Sequence, residues 1–318
     1  MPEPRQHDNY DALIFSCHAL APVRTAVAHP CDEASLSGAV EAAAAKLIKP
    51  ILVGPEAKIR ALAAALALDL EGLRVVDVPH SHAAAEKAVE LVRNGEADAL
   101  MKGSLHTDEL MAEVVRKDTG IRTERRISHV FIMDVPTYPK PLFITDAAVN
   151  IVPTLEDKVD ILQNAIDLAH ALRIPQPKVA ILSAVETVTS KIPSTIHAAA
   201  LCKMAERGQI TGALLDGPLA LDNAISRAAA ATKHIVSAVA GDADILLVPD
   251  LESGNMLAKE LSFLANADAA GIVLGARVPI ILTSRADTVR TRMASCAVAA
   301  LYAHARRMAA ADIGKLAE

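Results

Sequence analysis

Near the end of the chain, Thr283-Ser284-Arg285-Ala286-Asp287 sets a hydroxyl, a guanidinium and a carboxylate side by side. An apolar run at 278–282 precedes them, and a long helical pattern follows. That order places the polar group at the carboxyl end of a strand and the amino end of a helix. Backbone N–H groups there lack partners and favour an anion. A phosphate or an oxyanion would be stabilised at such a spot.

Other loops carry compatible chemistry. Lys102-Gly103-Ser104-Leu105-His106-Thr107 follows an apolar run and opens a helix. Glycine permits close backbone approach, lysine supplies a point charge, and Ser104 and Thr107 offer hydroxyls. The loop suits a phosphate, or it is a helix start capped by Thr107. It is not a P-loop, because G-x-x-x-x-G-K is missing. Arg122, Arg125 and Arg126 make the densest basic patch, which is either a solvated loop or a set of guanidiniums reaching a phosphate. His106 and His129 are the histidines nearest these loops. Asp216-Gly217-Pro218-Leu219, the stretch 249–255 and the stretch 183–187 each follow an apolar run and form candidate strand-end loops. Their Asp, Gly, Pro and Asn residues also suit plain turns. No G-x-G-x-x-G, H-E-x-x-H or G-x-S-x-G occurs, which removes the dinucleotide fingerprint, the zincin helix and the hydrolase elbow.

The elements that must position these groups alternate. Strands are predicted at 50–54, 73–78, 98–101, 128–135, 141–146, 179–182, 212–215, 245–248, 272–274 and 278–282. Helices are predicted at 58–68, 82–94, 107–117, 154–172, 194–208 and 256–264, with a last one carrying Val289, Met293 and Cys296. The alternation predicts an α/β fold of mostly parallel sheets with helices on both faces. The runs 128–135 and 141–146 read as a hairpin. No linker divides the chain, so a second domain is expected as an insertion: 148–273 inserted into a first domain of 1–147 plus 274–318, with the active-site cleft between them. Ligands of open α/β sheets bind outside the carboxyl ends of the strands.

Composition narrows the field. The 318 residues are 52% hydrophobic, enough for two sizeable cores, and only 2% aromatic with no Trp. Few rings and a formal net charge of −6 speak against nucleic acid as a partner. No apolar stretch reads as a membrane span and the start reads as no signal peptide, so a cytoplasmic protein is expected. Cys17, Cys31, Cys202 and Cys296 lack zinc-like spacing and read as reduced, buried thiols, with no metal expected.

Taken in order, the Lys102-Gly103-x-x-x-Thr107 loop, VFIMDV at 130–135, Ser183-Ala184-Val185-Glu186, DGPLALDNA at 216–224, VPDLESGN at 248–255 and TSRAD at 283–287 resemble the phosphate acetyltransferase / phosphate butyryltransferase family. The likeness runs from about residue 45 to the C-terminus. The stretch from MKGSLHTDEL to RTERRISHVF is most similar to the acyltransferase part of two-part proteins that also carry an enoyl-CoA hydratase. The resemblance implies a two-domain fold like that of the isocitrate/isopropylmalate dehydrogenases, a homodimer, and the reaction acyl-CoA plus phosphate to acyl phosphate plus CoA. Coenzyme A would then be a substrate, with no tightly bound cofactor. By the same resemblance Ser284 and Arg285 contact phosphate and stabilise the carbonyl oxygen. The proton acceptor is Asp287, whose other reading is an N-cap; an acetyltransferase-type Asp would fall where Thr291 stands. An Arg expected after the Lys-Gly loop is replaced by Met111, with Arg125 or Arg126 as substitutes. Lys102, Gly103, Ser104, Thr107, Arg125, Arg126, Asp216 and Asn255 complete the expected phosphate and CoA contacts.

These parts fit direct acyl transfer in a ternary complex. A carboxylate accepts the thiol proton, and each donor to the growing oxyanion contributes roughly 3 kcal/mol. Two other functions stay open at this point. One is a metal- and NAD-dependent decarboxylating dehydrogenase of the same fold, with Asp216, Asp242, Asp244 and Asp250 as metal ligands. The other is a non-catalytic acyl-CoA-binding protein.

Overall fold

The structure, a computed structural model, describes residues 8–283 and 288–316. Its contacts divide the chain into two compact units, Tyr10–Arg125 with the chain from Ala270 onward, and Arg126–Ala269 with the N-terminal residues to Asn9.

The first unit begins with α1 (Asp8–Cys17), β1 (Val23–Ala28), α2 (Glu33–Ala44), β2 (Ile48–Gly54), α3 (Glu56–Ala65), β3 (Arg74–Asp77), α4 (Ser81–Arg93), β4 (Ala99–Lys102) and α5 (Thr107–Val114). The second contains β5 (Ser128–Asp134), β6 (Leu142–Thr145), α6 (Leu155–Ala171), β7 (Lys178–Leu182), α7 (Pro193–Glu206), β8 (Leu214–Leu219), α8 (Leu221–Ile225), α9 (Arg227–Thr232), β9 (Ile245–Leu247) and α10 (Leu251–Leu264). The chain then returns through β10 (Asp268–Leu274), β11 (Ile280–Ile281) and α11 (Val289–Leu316).

In the first unit the strands run in the order β3-β2-β1-β4-β11-β10. All neighbours are parallel except β10 and β11. Strands covered on both faces must be apolar throughout. Ala26, Val27, Leu52, Val53, Ala99 and Leu100 are accordingly fully buried. In the second unit the order is β5-β6-β9-β7-β8, with β5 and β6 antiparallel and the rest parallel. Its core is aliphatic, with Ile144, Leu246, Val248 and Ala180 in one cluster.

The expected mostly parallel α/β architecture and the 128–146 hairpin are both present. The boundary expected after residue 147 falls instead at 125/126, and the return expected at 274 falls at 269/270. The reason is strand pairing. β6 hydrogen-bonds β9 through Phe143↔Ile245 and Thr145↔Leu247, so the hairpin stays with the segment that follows it.

Candidate active site

In the first unit β1, β4 and β11 run parallel, with Ala28 opposite Lys102 and Ile281 opposite Met101. The register therefore delivers His29, Gly103 and Thr283 to one edge, the carboxyl ends of the strands. The Lys102–Thr107 loop is knitted to the end of β1. Gly103 N–H donates to Ala28 O (2.9 Å) and Ser104 N–H to His29 O (2.9 Å). The Ser104 hydroxyl also donates to His29 O (2.9 Å), meets His29 Nδ1 at 3.0 Å, and accepts from Cys31 N–H (3.3 Å). Ser104 is thus an internal strut. Gly103 is required for space: a Cβ there would sit 2.4 Å from Ala28 O and 2.5 Å from His29 O.

Lys102 is only 5% exposed, and its ammonium donates to Gly103 O (3.2 Å) and Leu105 O (3.1 Å). A buried cation bonded by carbonyls of its own loop is stationed beside the strand ends. Thr107 does not cap α5. It is the first helical residue, and His106 precedes it as the cap position, with the Glu109 carboxylate accepting from His106 N–H (3.1 Å).

Three groups at this edge escaped the reading of the residues. Asp32 caps α2 by accepting from Ser35 N–H (2.8 Å). Burial opposes its ionisation, but the Ser35 hydrogen bonds and the fields of Arg292 and Lys102 prevail and hold its carboxyl below the ordinary value. Arg292, in the first turn of α11, is 3% exposed and donates from a terminal guanidinium nitrogen to Thr283 Oγ1 (2.8 Å). It lies against Gly38, where a Cβ would come within 2.8 Å of its Cδ. His29 is kept neutral by burial and by the charge of Lys58, with Glu109 and Asp32 opposing. A signal for Arg292 was available: it precedes the buried Cys296 by one helical turn, on the stripe that continues to Ala300 and Ala303. Asp32 and His29 follow β1 (VRTAVA), a short run outside the predicted strands.

Ser284, Arg285 and Asp287 lie outside the described residues. Their flanks are fixed on both sides. Thr283 is buried under Arg292, and the Thr288 hydroxyl accepts from Thr291 N–H (3.2 Å). The Thr291 hydroxyl, at the acetyltransferase-type acid position, meets that of Thr288 at 3.2 Å.

The second unit has its own carboxyl edge. Asp146, buried at the end of β6, accepts from the N–H groups of Ala148 (2.9 Å), Val149 (3.0 Å) and Asn150 (3.2 Å). Burial nevertheless raises its pKa. Asn255 on α10 donates to Ala147 O (3.1 Å). Asp250 caps α10 through Ser253 N–H (2.9 Å). Lys158, in the first turn of α6 and 4% exposed, meets His197 Nδ1 at 3.3 Å. Asp216 is not in a strand-end loop. β8 continues through it to Leu219, pairing Ala180↔Asp216 and, past an irregularity, Leu182↔Leu219. Its carboxylate accepts from Gly217 N–H (2.8 Å). Strands β9 and β7 separate β8 from β6, so Asp216 and Asn255 do not form one cluster.

The arginine patch divides as well. Arg126 is bound within the second unit: its Nε donates to Asn150 Oδ1 (2.8 Å), and its guanidinium pairs with Asp157 (3.3 Å). Arg125 is half-buried, its backbone N–H taken by Thr123 Oγ1 (3.1 Å). His129, on β5, is fully buried against Phe131, and burial pushes its pKa down to about 3. It is a neutral core residue and not a base near the loops. Among the cysteines, Cys17, Cys31 and Cys296 are buried, Cys202 is half-buried, and all four are free. Among the described residues no helix is long and apolar enough to cross a membrane.

Comparison with known proteins identifies the family. The family model described as "Phosphate acetyl/butaryl transferase" matches residues 79–300. A phosphate acetyltransferase of Rhizobium meliloti is 69% identical over 306 residues, covering 96% of this chain and 97% of the relative. A phosphate butyryltransferase of Clostridium acetobutylicum is 41% identical over 295 residues, 93% and 98% of the two chains. A branched-chain phosphotransacylase from Enterococcus faecalis V583 superposes with a TM-score of 0.75 at 30% identity, covering 88% of this chain and 99% of its own. The dehydrogenase and non-catalytic readings give way: the chain belongs to the phosphate acetyl/butyryl transferase family and is a phosphate acyltransferase.

Proposed function

We propose that the enzyme moves a short acyl group reversibly between coenzyme A and inorganic phosphate in one ternary complex, without a covalent acyl-enzyme. The supporting observation is the shared edge of β1, β4 and β11. There the buried Lys102 loop lies in register with Thr283, the residue before Ser284, and Arg292 anchors Thr283. Lys102 holds the phosphoryl group beside the loop whose close approach Gly103 permits, while Arg285 and Ser284 stabilise charge growing on the carbonyl oxygen. Asp287 accepts the thiol proton. The enzyme contributes mainly by orienting two anionic carriers, which can supply much of the rate. Arg125, Asp216 and Asn255 serve the coenzyme together with Arg126, whose guanidinium also pairs with Asp157. We read the enzyme as a cytoplasmic homodimer of the dehydrogenase-like two-domain fold that uses no tightly bound cofactor. High identity to an acetyltransferase supports acetyl as the preferred group.

Phosphate-dependent release of thiol from acetyl-, propionyl- and butyryl-CoA tests the reading. Initial velocities at varied phosphate and acyl-CoA should give intersecting reciprocal plots, whereas parallel lines would establish a covalent intermediate instead. Ser284→Ala should lower turnover about 100-fold with the thermal midpoint kept. Turnover within a factor of about three would remove Ser284 from the chemistry.

A further inference from the structure

The first unit carries a cavity at the end of its sheet opposite Lys102. Its volume is about 230 Å³, and it is formed where β4 and β11 begin and where the second half of α11 passes them. Arg277, Arg306 and Arg307 line it together with Asp98, and Val278, Pro279 and two alanines of α11 make an apolar wall.

The charge on this wall is unbalanced. Asp98 is already held by Arg24, whose Nε and one terminal nitrogen each donate to a different carboxylate oxygen at 2.8 Å. Arg307 reaches the same carboxylate only at 3.7 Å. Arg306 is pinned from within, donating to Ala276 O (3.3 Å) and Arg277 O (3.0 Å). Arg277 uses its backbone N–H on Ile121 O (2.8 Å), and its exposed guanidinium has no bonded partner among the described residues. Planar guanidiniums match a carboxylate or phosphate two bonds at a time. An apolar wall next to such a fork suits a few methylene groups.

We infer that this pocket is a binding site for a small amphipathic anion, a carboxylate or phosphate head on a short alkyl chain, separate from the acyl-transfer site. The head group pairs with Arg277 and Arg307, Arg306 forms the fixed floor, and the chain lies on Val278 and Pro279. A bare anion forgoes the apolar contact.

Titration calorimetry on the full chain decides it, with butyrate, butyl phosphate and inorganic phosphate as probes. Butyrate and butyl phosphate distinguish the two head groups. At least one should bind in a Lys102→Met background, in which the acyl-transfer site is impaired, and more tightly than inorganic phosphate. Arg277→Gln with Arg307→Gln should weaken that binding at least about tenfold while thiol release in the otherwise wild-type enzyme stays within about twofold. Should the double variant fold poorly, Arg277→Gln alone decides, since that guanidinium holds nothing among the described residues. Three results would overturn the inference: no binding of either alkyl probe in the Lys102→Met background, equal binding to the arginine variants, or inorganic phosphate as tight as the alkyl probes. Because the readout is binding away from Lys102, it stands or falls independently of whether thiol release is found.

Discussion

Two buried lysines sit at corresponding places in the two units, each at the carboxyl edge of a parallel sheet, yet they are held in opposite ways. Lys102 ends its strand and binds the carbonyls of Gly103 and Leu105, next to it in sequence. Lys158 stands on a helix and meets an imidazole from another helix, with no carboxylate within ion-pair distance among the described residues. Burial lowers the pKa of Lys158, and only the field of Asp250 opposes it. In the first arrangement neighbouring main-chain carbonyls hold the ammonium in place at the strand ends. The second is a charge kept in a dry place at a net cost to the fold. The difference teaches that two lysines of nearly equal burial can be held in different ways, one by the main chain beside it and one by a side chain of another helix.

The largest expected effect comes from removing the Lys102 ammonium, the phosphate contact proposed above. Lys102→Met should lower turnover about 100-fold, as loss of one strong donor does, with the loss expressed in kcat/KM for phosphate. An intact kcat/KM would dissolve the distinction between the two lysines. Next comes the backbone that shapes each edge. Gly103→Ala forces a Cβ against Ala28 O and His29 O, main chain that itself bonds the loop, and should cost at least about 2 kcal/mol. The matching change in the other unit, Gly254→Ala, meets Val248 Cγ2 at 2.8 Å and Asp146 O at 2.9 Å. The main-chain clash is shallower there, with the nearest backbone atom at 2.9 Å against 2.4 Å at Gly103, so its cost should be smaller, about 1 kcal/mol. Urea midpoints of both variants test the order, and a reversal would mean that the Lys102 loop is the softer of the two.

How much of this was legible follows from where the signals lie. The Lys-Gly loop could be read because strand, glycine, cation and helix start are consecutive in the chain. The hairpin could be read because two β-branched runs flank a proline-rich turn. Arg292 was hidden because a charge within an apolar helical stripe is ordinarily expected to point outward. Asp32 and His29 were hidden with β1, whose apolar run is interrupted by Arg24 and Thr25. Asp216 was misplaced because Gly-Pro reads as a turn, whereas here β8 continues through it. The Arg125/Arg126 pair looks like one patch in sequence, but Arg126 answers to Asp157 on α6.

A pH series sharpens the contrast from the side of the second unit. His129 has its pKa pushed from 6.5 down to about 3 by burial. Below about 6.5 the unfolded chain takes up a proton that the native protein refuses, so stability is complete above that pH and declines as pH falls toward 3. The slope is about 1.4 kcal/mol per pH unit, or about 2 kcal/mol between pH 6.5 and 5. His129→Leu should flatten this part of the profile. Urea unfolding at about pH 7 and about pH 5 measures it, and identical slopes in both proteins would show that His129 is solvated after all.

The smallest effect is also the one that separates the two lysines most directly. Lys158 pays for its burial at neutral pH, because its lowered pKa means that the unfolded chain holds the proton more firmly than the native one does. Its contribution is therefore most favourable at high pH and is lost as pH falls through the native value. Met fills nearly the same volume without the charge, and such replacements are often neutral or stabilising. Lys158→Met should then gain about 1 kcal/mol near pH 7, the gain shrinking as pH rises toward 10.5, the value of an unperturbed lysine. His197, which burial and the Lys158 charge hold below its ordinary pKa, should titrate higher in the variant, visible in the imidazole proton shifts. A loss of stability would mean that the Lys158–His197 contact binds α6 to α7 more strongly than the charge repels its surroundings. In that event the two lysines differ only in their partners and no longer in what they cost the fold.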